Sequence, residues 1–173
     1  CMWEQFDAAN QAIFFARLRD PLRPDVTPVG EPRCGTMEVD VASTAKGVWV
    51  ESGVTGPVAG DERRYMALAD YPYRPQQELA LSLGPEALGA RLAVVDRATS
   101  GRVNRAFEGV GSDGLIYCYG PQVNGSLSSS WFVQLTSPTA LRIEHVAHGP
   151  GESPCDDAPA TWSFGPASVT MVR

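Results

Sequence analysis

Apolar and polar residues alternate with a period of two through much of the chain beyond residue 34. In residues 79–83, for example, leucines alternate with an alanine and a serine. Such alternation is typical of β-strands that bury one face. It predicts about nine or ten short strands, drawn from the segments 36–41, 47–50, 64–68, 77–83, 92–95, 103–107, 115–119, 130–136, 140–146, 161–164 and 169–172.

The first of these segments alternates most regularly. We expect Met37, Val39 and Val41 to face the core, because they occupy the apolar positions of the segment. Glu38 and Asp40 occupy the polar positions between them and are expected to face solvent.

Turn-forming residues separate the predicted strands by about 8–12 residues, as in antiparallel sandwiches and barrels. The 14 Pro and 17 Gly residues also favour many turns over long helices. The predicted fold class is therefore mainly β: an antiparallel β-barrel or a sandwich. We prefer the barrel because closure removes exposed strand edges. Residues 34–173 form this domain, and residues 1–33 form an N-terminal helix and a Pro-rich connector.

The N-terminal segment has a helical pattern. Apolar side chains recur near a period of 3.6 within residues 2–19, and Asp20-Pro21 ends the pattern because proline disfavours the helical conformation before it. The apolar stripe contains Trp3, Phe6, Ile13 and Phe14. We expect this stripe to pack on the β domain; the alternative is a helix that binds a partner.

An Asp113-Gly114 turn precedes a strand-compatible run that contains Cys118. The chain has four cysteines, widely spaced and without a C-x-x-C motif, which favours disulfides over a zinc site. We predict the pairs Cys1–Cys34 and Cys118–Cys155. In the alternative arrangement Cys1 carries a lipid anchor, Cys118–Cys155 is retained and Cys34 is a free thiol. Both arrangements indicate an extracytoplasmic protein, which is secreted, periplasmic or displayed at the cell surface.

Charge excludes some classes of partner. Twenty acidic residues against 14 basic ones give a net charge of −6, which argues against nucleic-acid binding. No apolar run is long enough for a transmembrane helix. No phosphate-binding glycine loop or recognised metal motif is present, so we expect neither a cofactor nor a metal.

The histidines are the strongest candidates for catalysis. His145 shares the apolar phase of Leu141 and Ile143, so we expect it on a buried face, where the pKa of a histidine shifts. No G-x-S-x-G motif accompanies it, and Ser128, Ser129 and Ser130 are typical of residues that lead from a turn into a strand. We favour a hydrogen-bonded structural histidine over a Ser-His-Asp site.

Two loops are candidates for binding a ligand or a protein partner. The first carries Asp70, Tyr71, Tyr73 and Arg74, which combine rigid aromatic rings with charge on a proline-stiffened segment. Its alternative is a packed loop whose tyrosines cover the core. The second candidate is the pair Asn104 and Arg105, which either lines a barrel mouth or caps a strand; His145 completes the candidate set.

Several short segments carry a family resemblance: Cys34-Gly35-Thr36, the run from Asp40 to Trp49, Val103 to Phe107, Asp113 to Tyr119, and Phe132 to Thr136. Together they resemble a group of bacterial extracytoplasmic β domains, secreted or lipoprotein, that have no assigned activity. The resemblance covers residues 34–173 and implies compartment and fold class, but no site. The chain departs from the group at Ala69 to Tyr73, where a polar His-Asp-Asn-like stretch is expected.

We therefore expect a non-enzymatic, secreted or cell-envelope β domain with a binding or structural role. Its partner is an unknown protein or small molecule, and a homo-oligomer is left open. The alternative is a carrier whose barrel interior encloses an apolar ligand, lined by Trp49, Leu81, Tyr117 and Trp131. A small hydrolase is the third hypothesis.

Overall fold

A computed structural model describes residues 7–20, 23–24, 39–54, 62–89, 91–123 and 128–173. Within them one α-helix, α1 (Ala8–Arg17), precedes a sheet of eight strands. The strands are β1 (Gly47–Glu51), β2 (Tyr65–Asp70), β3 (Glu78–Leu83), β4 (Leu92–Asp96), β5 (Tyr117–Tyr119), β6 (Ser129–Ser137), β7 (Ala140–Ala147) and β8 (Val169–Val172). Short 3-10 helices span Glu62–Arg64, Glu86–Leu88, Phe107–Gly109, Pro154–Asp156 and Pro159–Thr161.

The sheet curls into a nearly closed barrel. Its strand order is β4-β3-β2-β1-β8-β7-β6-β5, and all neighbouring strands are antiparallel. The two outermost strands, β4 and β5, approach each other through a bridge between Val95 and Gln122 and a 2.8 Å bond from the Val123 N–H to the Val94 carbonyl. The prediction of a mainly β, antiparallel barrel is confirmed.

One continuous hydrophobic core fills the barrel. Trp49 and Trp131 are both fully buried in it, and each indole N–H donates to a carbonyl, that of Ala45 at 3.0 Å and that of Leu88 at 3.1 Å. Ala45 lies just before β1 and Leu88 lies between β3 and β4, so these contacts close opposite ends of the barrel. The three leucines of β3 point inward, as the alternation predicts.

The first predicted strand, 36–41, is wrong where it is described. Residues 39–41 form no strand, because the Asp40 carboxylate accepts the Val48 N–H at 2.8 Å and a turn joins Val41 to Lys46. Asp40 is exposed, as predicted, whereas Val39 and Val41 are only half-buried. Residues 36–38 lie outside the described residues.

Two other predicted strands are also wrong. In segment 103–107, Val103 and Arg105 form only isolated bridges and a 3-10 helix begins at Phe107. In segment 161–164, Trp162 packs on the outside of the barrel and its indole N–H donates to the Pro154 carbonyl at 2.8 Å. Both segments have β-compatible residues, but they cover the barrel instead of extending its ladder.

The predicted docking of the N-terminal helix is wrong for Ile13, whose side chain is 54% exposed. Phe14 is half-buried, and Trp3 and Phe6 lie outside the described residues. The segment joins the barrel after the helix instead, through Asp20. Polar contacts therefore hold this segment on the barrel at Asp20.

Candidate functional site

The outer face of the barrel is covered in two places. Over β5 and β6, the Cys118–Cys155 disulfide and Trp162 pack with Phe132 in a cluster outside the barrel. Over β3 and β4, Tyr71 packs on further apolar residues. The predicted Cys118–Cys155 pairing is confirmed, whereas Cys1 and Cys34 lie outside the described residues and their pairing stays a prediction.

A third part of the outer face lies on β1 to β4, and we call it the exposed row. The strand register aligns four outward-facing residues across β1 to β4: Val48, Ala67, Ser82 and Leu92. Val48 is 43% exposed and Leu92 is 39% exposed, and it is their alignment in one row that makes these exposed apolar side chains informative. Ser82 between them is exposed as well, so the row forms a shallow, mostly apolar surface.

A depression of about 420 Å³ lies along this row. Val48, Ala67 and Ser82 line its floor, and Glu62 and Arg91 line its margin. Gly84, which also lines it, allows the backbone to approach closely here: a Cβ would collide with the carbonyl oxygens of Glu62 and Tyr65. The depression therefore combines an apolar floor with charged margins.

A second row of outward-facing residues lies beside the exposed row, and aromatic side chains cover it. Ala69, Ala80 and Val94 are aligned one step further along the same strands. Tyr71 packs over Ala80 and Val94, and the ring of Tyr73 lies 5.5 Å from that of Tyr71. A flat row of small and branched residues on this barrel is thus covered by aromatic rings.

The loop that the sequence predicts to bind a partner supplies these aromatic side chains. Tyr71 is only 2% exposed, and its hydroxyl donates a 2.6 Å hydrogen bond to Asp20. Burial raises the pKa of Tyr71, and the hydrogen bond to Asp20 raises it further. Tyr71 therefore has the covering role that the sequence left open, whereas Asp70, Tyr73 and Arg74 retain partial exposure.

Charged partners hold this loop and the N-terminal segment together. The Arg23 guanidinium donates to Asp20 at 2.9 Å and to Glu78 at 2.5 Å, and both carboxylates are buried. The bond to Glu78 is the largest cause of the raised pKa of Arg23. Arg74 reaches the same Glu78 carboxylate at 3.2 Å. The buried carboxylates are thus paired, as burial of charge requires.

Asp70 belongs to a neighbouring cluster at the end of β2. Its carboxylate pairs with Lys46 at 2.5 Å and with Arg97, which also pairs with Glu108. Opposite charges alternate through this cluster. The cluster links the residue before β1, the end of β2 and the segment after β4, so Asp70 has a structural role.

Asn104 and Arg105 also have structural partners. Asn104 has a φ of 51°, and its side-chain amide exchanges hydrogen bonds with the backbone of Gly120 at 2.9 and 3.1 Å. Arg105 donates to the Thr99 carbonyl, and its own carbonyl accepts the Tyr119 hydroxyl at 2.8 Å. The pair fixes the loop beside β5.

Each histidine contacts a serine of β6. His145 Nε2 lies 3.0 Å from Ser129 Oγ, and His148 Nε2 lies 2.9 Å from Ser130 Oγ. The His145 ring stacks on Trp131 at 5.5 Å. Burial lowers the pKa of His145, and the positive charge of Arg91 lowers it further.

The Ser130–His148 pair resembles half of a nucleophilic dyad, but its surroundings differ from one. Ser130 is fully buried, and its hydroxyl also lies 3.2 Å from that of Ser153. His148 Nδ1 faces the Gly149 carbonyl at 2.9 Å, in the position where a catalytic triad has a carboxylate. A buried hydroxyl cannot reach a substrate, so the pair acts here as a hydrogen-bonded tie between β6 and the following loop.

The residues expected to line a carrier's cavity belong to the core. Trp49, Leu81, Tyr117 and Trp131 are all buried in the same cluster of side chains. The Tyr117 hydroxyl donates to Asp113 at 2.6 Å, and burial, together with this bond, raises the pKa of Tyr117 to about 12. These side chains pack against each other.

Among the described residues, no cluster of His, Cys, Asp and Glu side chains is suited to hold a metal ion. None of the helices in the described ranges has the length and apolar character needed to cross a membrane.

Sequence reasoning missed the exposed row because its members lie on four separate strands. Each position is unremarkable on its own strand, and only the register aligns them. The one available signal was the presence of Val48 and Leu92 at positions that the alternation assigns to the outside. No family model, curated protein or solved structure matches the chain.

Proposed function

We propose that this chain is a non-enzymatic, extracytoplasmic binding domain that contacts a protein through the exposed row. The barrel acts as a rigid scaffold, and the row with its depression is the contact surface. The Cys118–Cys155 disulfide supports an oxidising compartment, because such bonds rarely persist in the cytosol.

The observation that carries this proposal is the pair of adjacent rows on one face. One row is covered by Tyr71 and Tyr73, whereas Val48 and Ser82 of the other remain exposed. Contiguous exposed apolar surface with a polar margin is typical of protein-binding sites. Because strands hold the row in register, it is pre-organised for binding and loses little conformational entropy there.

A carrier of small apolar ligands has weaker support. The large side chains of the core leave Trp49 and Trp131 fully buried, so a guest would have to displace packed groups. Native mass spectrometry of protein purified from its own source tests this alternative: a retained small-molecule adduct would favour the carrier over the binding domain.

Site-specific photo-crosslinking tests the proposed function. A benzophenone amino acid at Ser82 reports on the exposed row, and the same amino acid at Thr170, an exposed position of β8, is the matched control. Irradiation of the native host should yield discrete protein adducts at position 82 and not at 170. Equal labelling at both positions, or no adduct at 82, would contradict the proposal.

A further inference from the structure

The margin of the depression carries two opposite charges. Glu62 is exposed and Arg91 is half-buried, and the side chains of both line the depression. Arg91 donates to the Gly89 carbonyl at 3.1 Å and lies 5.9 Å from the centre of the Trp131 ring. Within the described ranges, neither Glu62 nor Arg91 forms an ion pair. The depression therefore has one negative and one positive group without an ionic partner in this part of the chain.

The other charged side chains nearby belong to a second depression. Arg63 and Arg64 follow Glu62 in the chain but line this second depression. Glu51 and Glu86 line it as well, and Arg64 pairs with Glu51 at 3.2 Å. Its two acidic and two basic residues cancel in net charge. The second depression therefore leaves the balance of one acid and one base at the first depression unchanged.

Strand pairing fixes the separation of these two charges. On one side of β3, the Leu83 N–H donates to the Arg91 carbonyl at 2.8 Å, and on the other side the Gly84 N–H donates to the Tyr65 carbonyl at 3.0 Å. Glu62 lies on the Tyr65 side, since its carbonyl oxygen would collide with a Cβ at Gly84. Glu62 and Arg91 thus flank the end of β3, and two strand spacings place their backbones about 10 Å apart.

The exposed row has the length of a short peptide and little depth. Val48 on β1 and Leu92 on β4 are separated by three strand spacings, which amount to about 14 Å. An extended segment of roughly four or five residues has this length. Small-molecule sites enclose most of their ligand, whereas a ligand on a shallow row keeps much of its surface in water. The dimensions therefore favour a peptide segment over a free small molecule.

Resting on the proposed function of the exposed row, we propose that the partner contributes an extended segment in which an acidic residue pairs with Arg91 and a basic residue pairs with Glu62. An apolar residue between them contacts the floor of the depression. Alternate side chains of an extended segment face the same side, so residues at positions i, i+2 and i+4 of the partner span about 13 Å. The long side chains of Glu62 and Arg91 accommodate the difference between this span and the separation of their backbones.

Selection from a displayed library of random dodecapeptides tests this recognition. The purified, oxidised protein should enrich peptides with an acidic, an apolar and a basic residue at alternate positions. Arg91→Glu should instead enrich peptides with two basic residues around the apolar one, and Glu62→Arg should enrich peptides with two acidic residues. Ser82→Arg places a charge on the apolar floor and should abolish the enrichment. Thr170→Arg, at an exposed position of β8, is the matched control and should retain the wild-type pattern.

The affinity of one selected peptide tests each contact separately. In fluorescence anisotropy, Arg91→Glu and Glu62→Arg should each raise the Kd about three- to tenfold, because attraction at an exposed margin is replaced by repulsion. Replacing the acidic residue of the peptide with lysine should weaken binding to the wild type and restore binding to Arg91→Glu. Circular dichroism shows whether each variant is folded. Because this exchange is made in the peptide, the wild-type protein tests the contact even if a variant fails to fold.

The outcomes separate this inference from the proposed function. No enrichment over an unrelated bait, or one peptide pattern shared by the wild type and both charge variants, overturns the inference. Mass spectrometry of the adduct formed at position 82 identifies the crosslinked segment of the native partner. A segment without an acidic and a basic residue around an apolar one overturns this inference and still supports the binding domain. Absence of any adduct at position 82 contradicts the proposed function itself.

Discussion

The Tyr71 hydroxyl and the Asp20 carboxylate form a 2.6 Å hydrogen bond between residues 51 positions apart in the chain. Asp20 is fully buried, and Arg23 pairs with the same carboxylate. The bond joins the end of the helical segment to the loop that follows β2. The Tyr71 side chain thereby covers the row that contains Ala80 and Val94 and also holds the N-terminal segment in place.

Removing this hydroxyl should destabilise the protein. Tyr71→Phe leaves the buried Asp20 carboxylate one donor short, so we expect a loss of about 1–3 kcal/mol in the free energy of unfolding. Chemical denaturation measures it. Tyr73→Phe is the matched control, because the Tyr73 ring packs beside Tyr71 while its hydroxyl has no hydrogen-bond partner among the described residues. An equal loss in both variants would contradict the role assigned to the bond.

The pKa of His145 predicts a pH dependence of stability. Burial lowers this pKa below the ordinary value of about 6.5, so the unfolded chain binds a proton more readily than the folded one. The free energy of unfolding should therefore fall as the pH decreases below about 6.5. In His145→Gln this part of the pH dependence should disappear, whereas His148→Gln should retain most of it, because His148 contributes less than burial and Arg91 to the lowered pKa of His145. Urea denaturation between about pH 5 and pH 8 makes the comparison; identical profiles for wild type and His145→Gln would contradict it.

The Cys118–Cys155 disulfide closes a loop of 37 positions and ties the segment around Cys155 to β5. In the chain-entropy model, a loop of this size contributes about 3–4 kcal/mol. The double variant Cys118→Ala/Cys155→Ala should lose stability of that order in thermal unfolding. Hydrogen exchange should increase most in residues 149–165. Unchanged thermal stability, or no selective increase in exchange in residues 149–165, would contradict the prediction.

Arg173 closes one end of the barrel. Its guanidinium donates to the Thr44 carbonyl at 2.8 Å and to the Lys46 carbonyl at 3.1 Å, and it lies 4.3 Å over the Trp49 ring. Arg173→Leu should cost about 2–4 kcal/mol, because charge-assisted hydrogen bonds and a cation–π contact are lost together. Arg173→Lys should recover only part of it, since an ammonium cannot reproduce the planar fork. Full stability of the Lys variant would show that charge alone suffices.

The predicted Cys1–Cys34 bridge is tested by mass. Intact mass before and after reduction counts the bridges, and peptide mapping of the oxidised protein identifies their partners. We expect the Cys1 and Cys34 peptides to be linked to each other. A lipidated Cys1 peptide, or a crosslink from Cys34 to Cys118 or Cys155, would contradict the pairing.

Fold class and most strand positions followed from the sequence because they depend on short-range patterns. Alternation identified the buried face of β3, and the Asp113-Gly114 turn follows from local chemistry: Gly114 has a φ of 77° and Asp113 accepts the Leu115 N–H at 2.9 Å. The Cys118–Cys155 pairing could also be predicted from the sequence. Four cysteines allow few pairings, and only some bring a loop back to a strand.

Tertiary structure alone decided which β-compatible segments joined the ladder and which became covers. Residues 39–41 alternate but form no strand, because the Asp40 carboxylate accepts the Val48 N–H. Trp162 buries its ring outside the barrel and does not belong to a strand. The exposed row depends on strand register, which brings together residues far apart in the chain. Local periodicity indicates on which face of a strand a side chain lies, but only the folded sheet determines what covers that face.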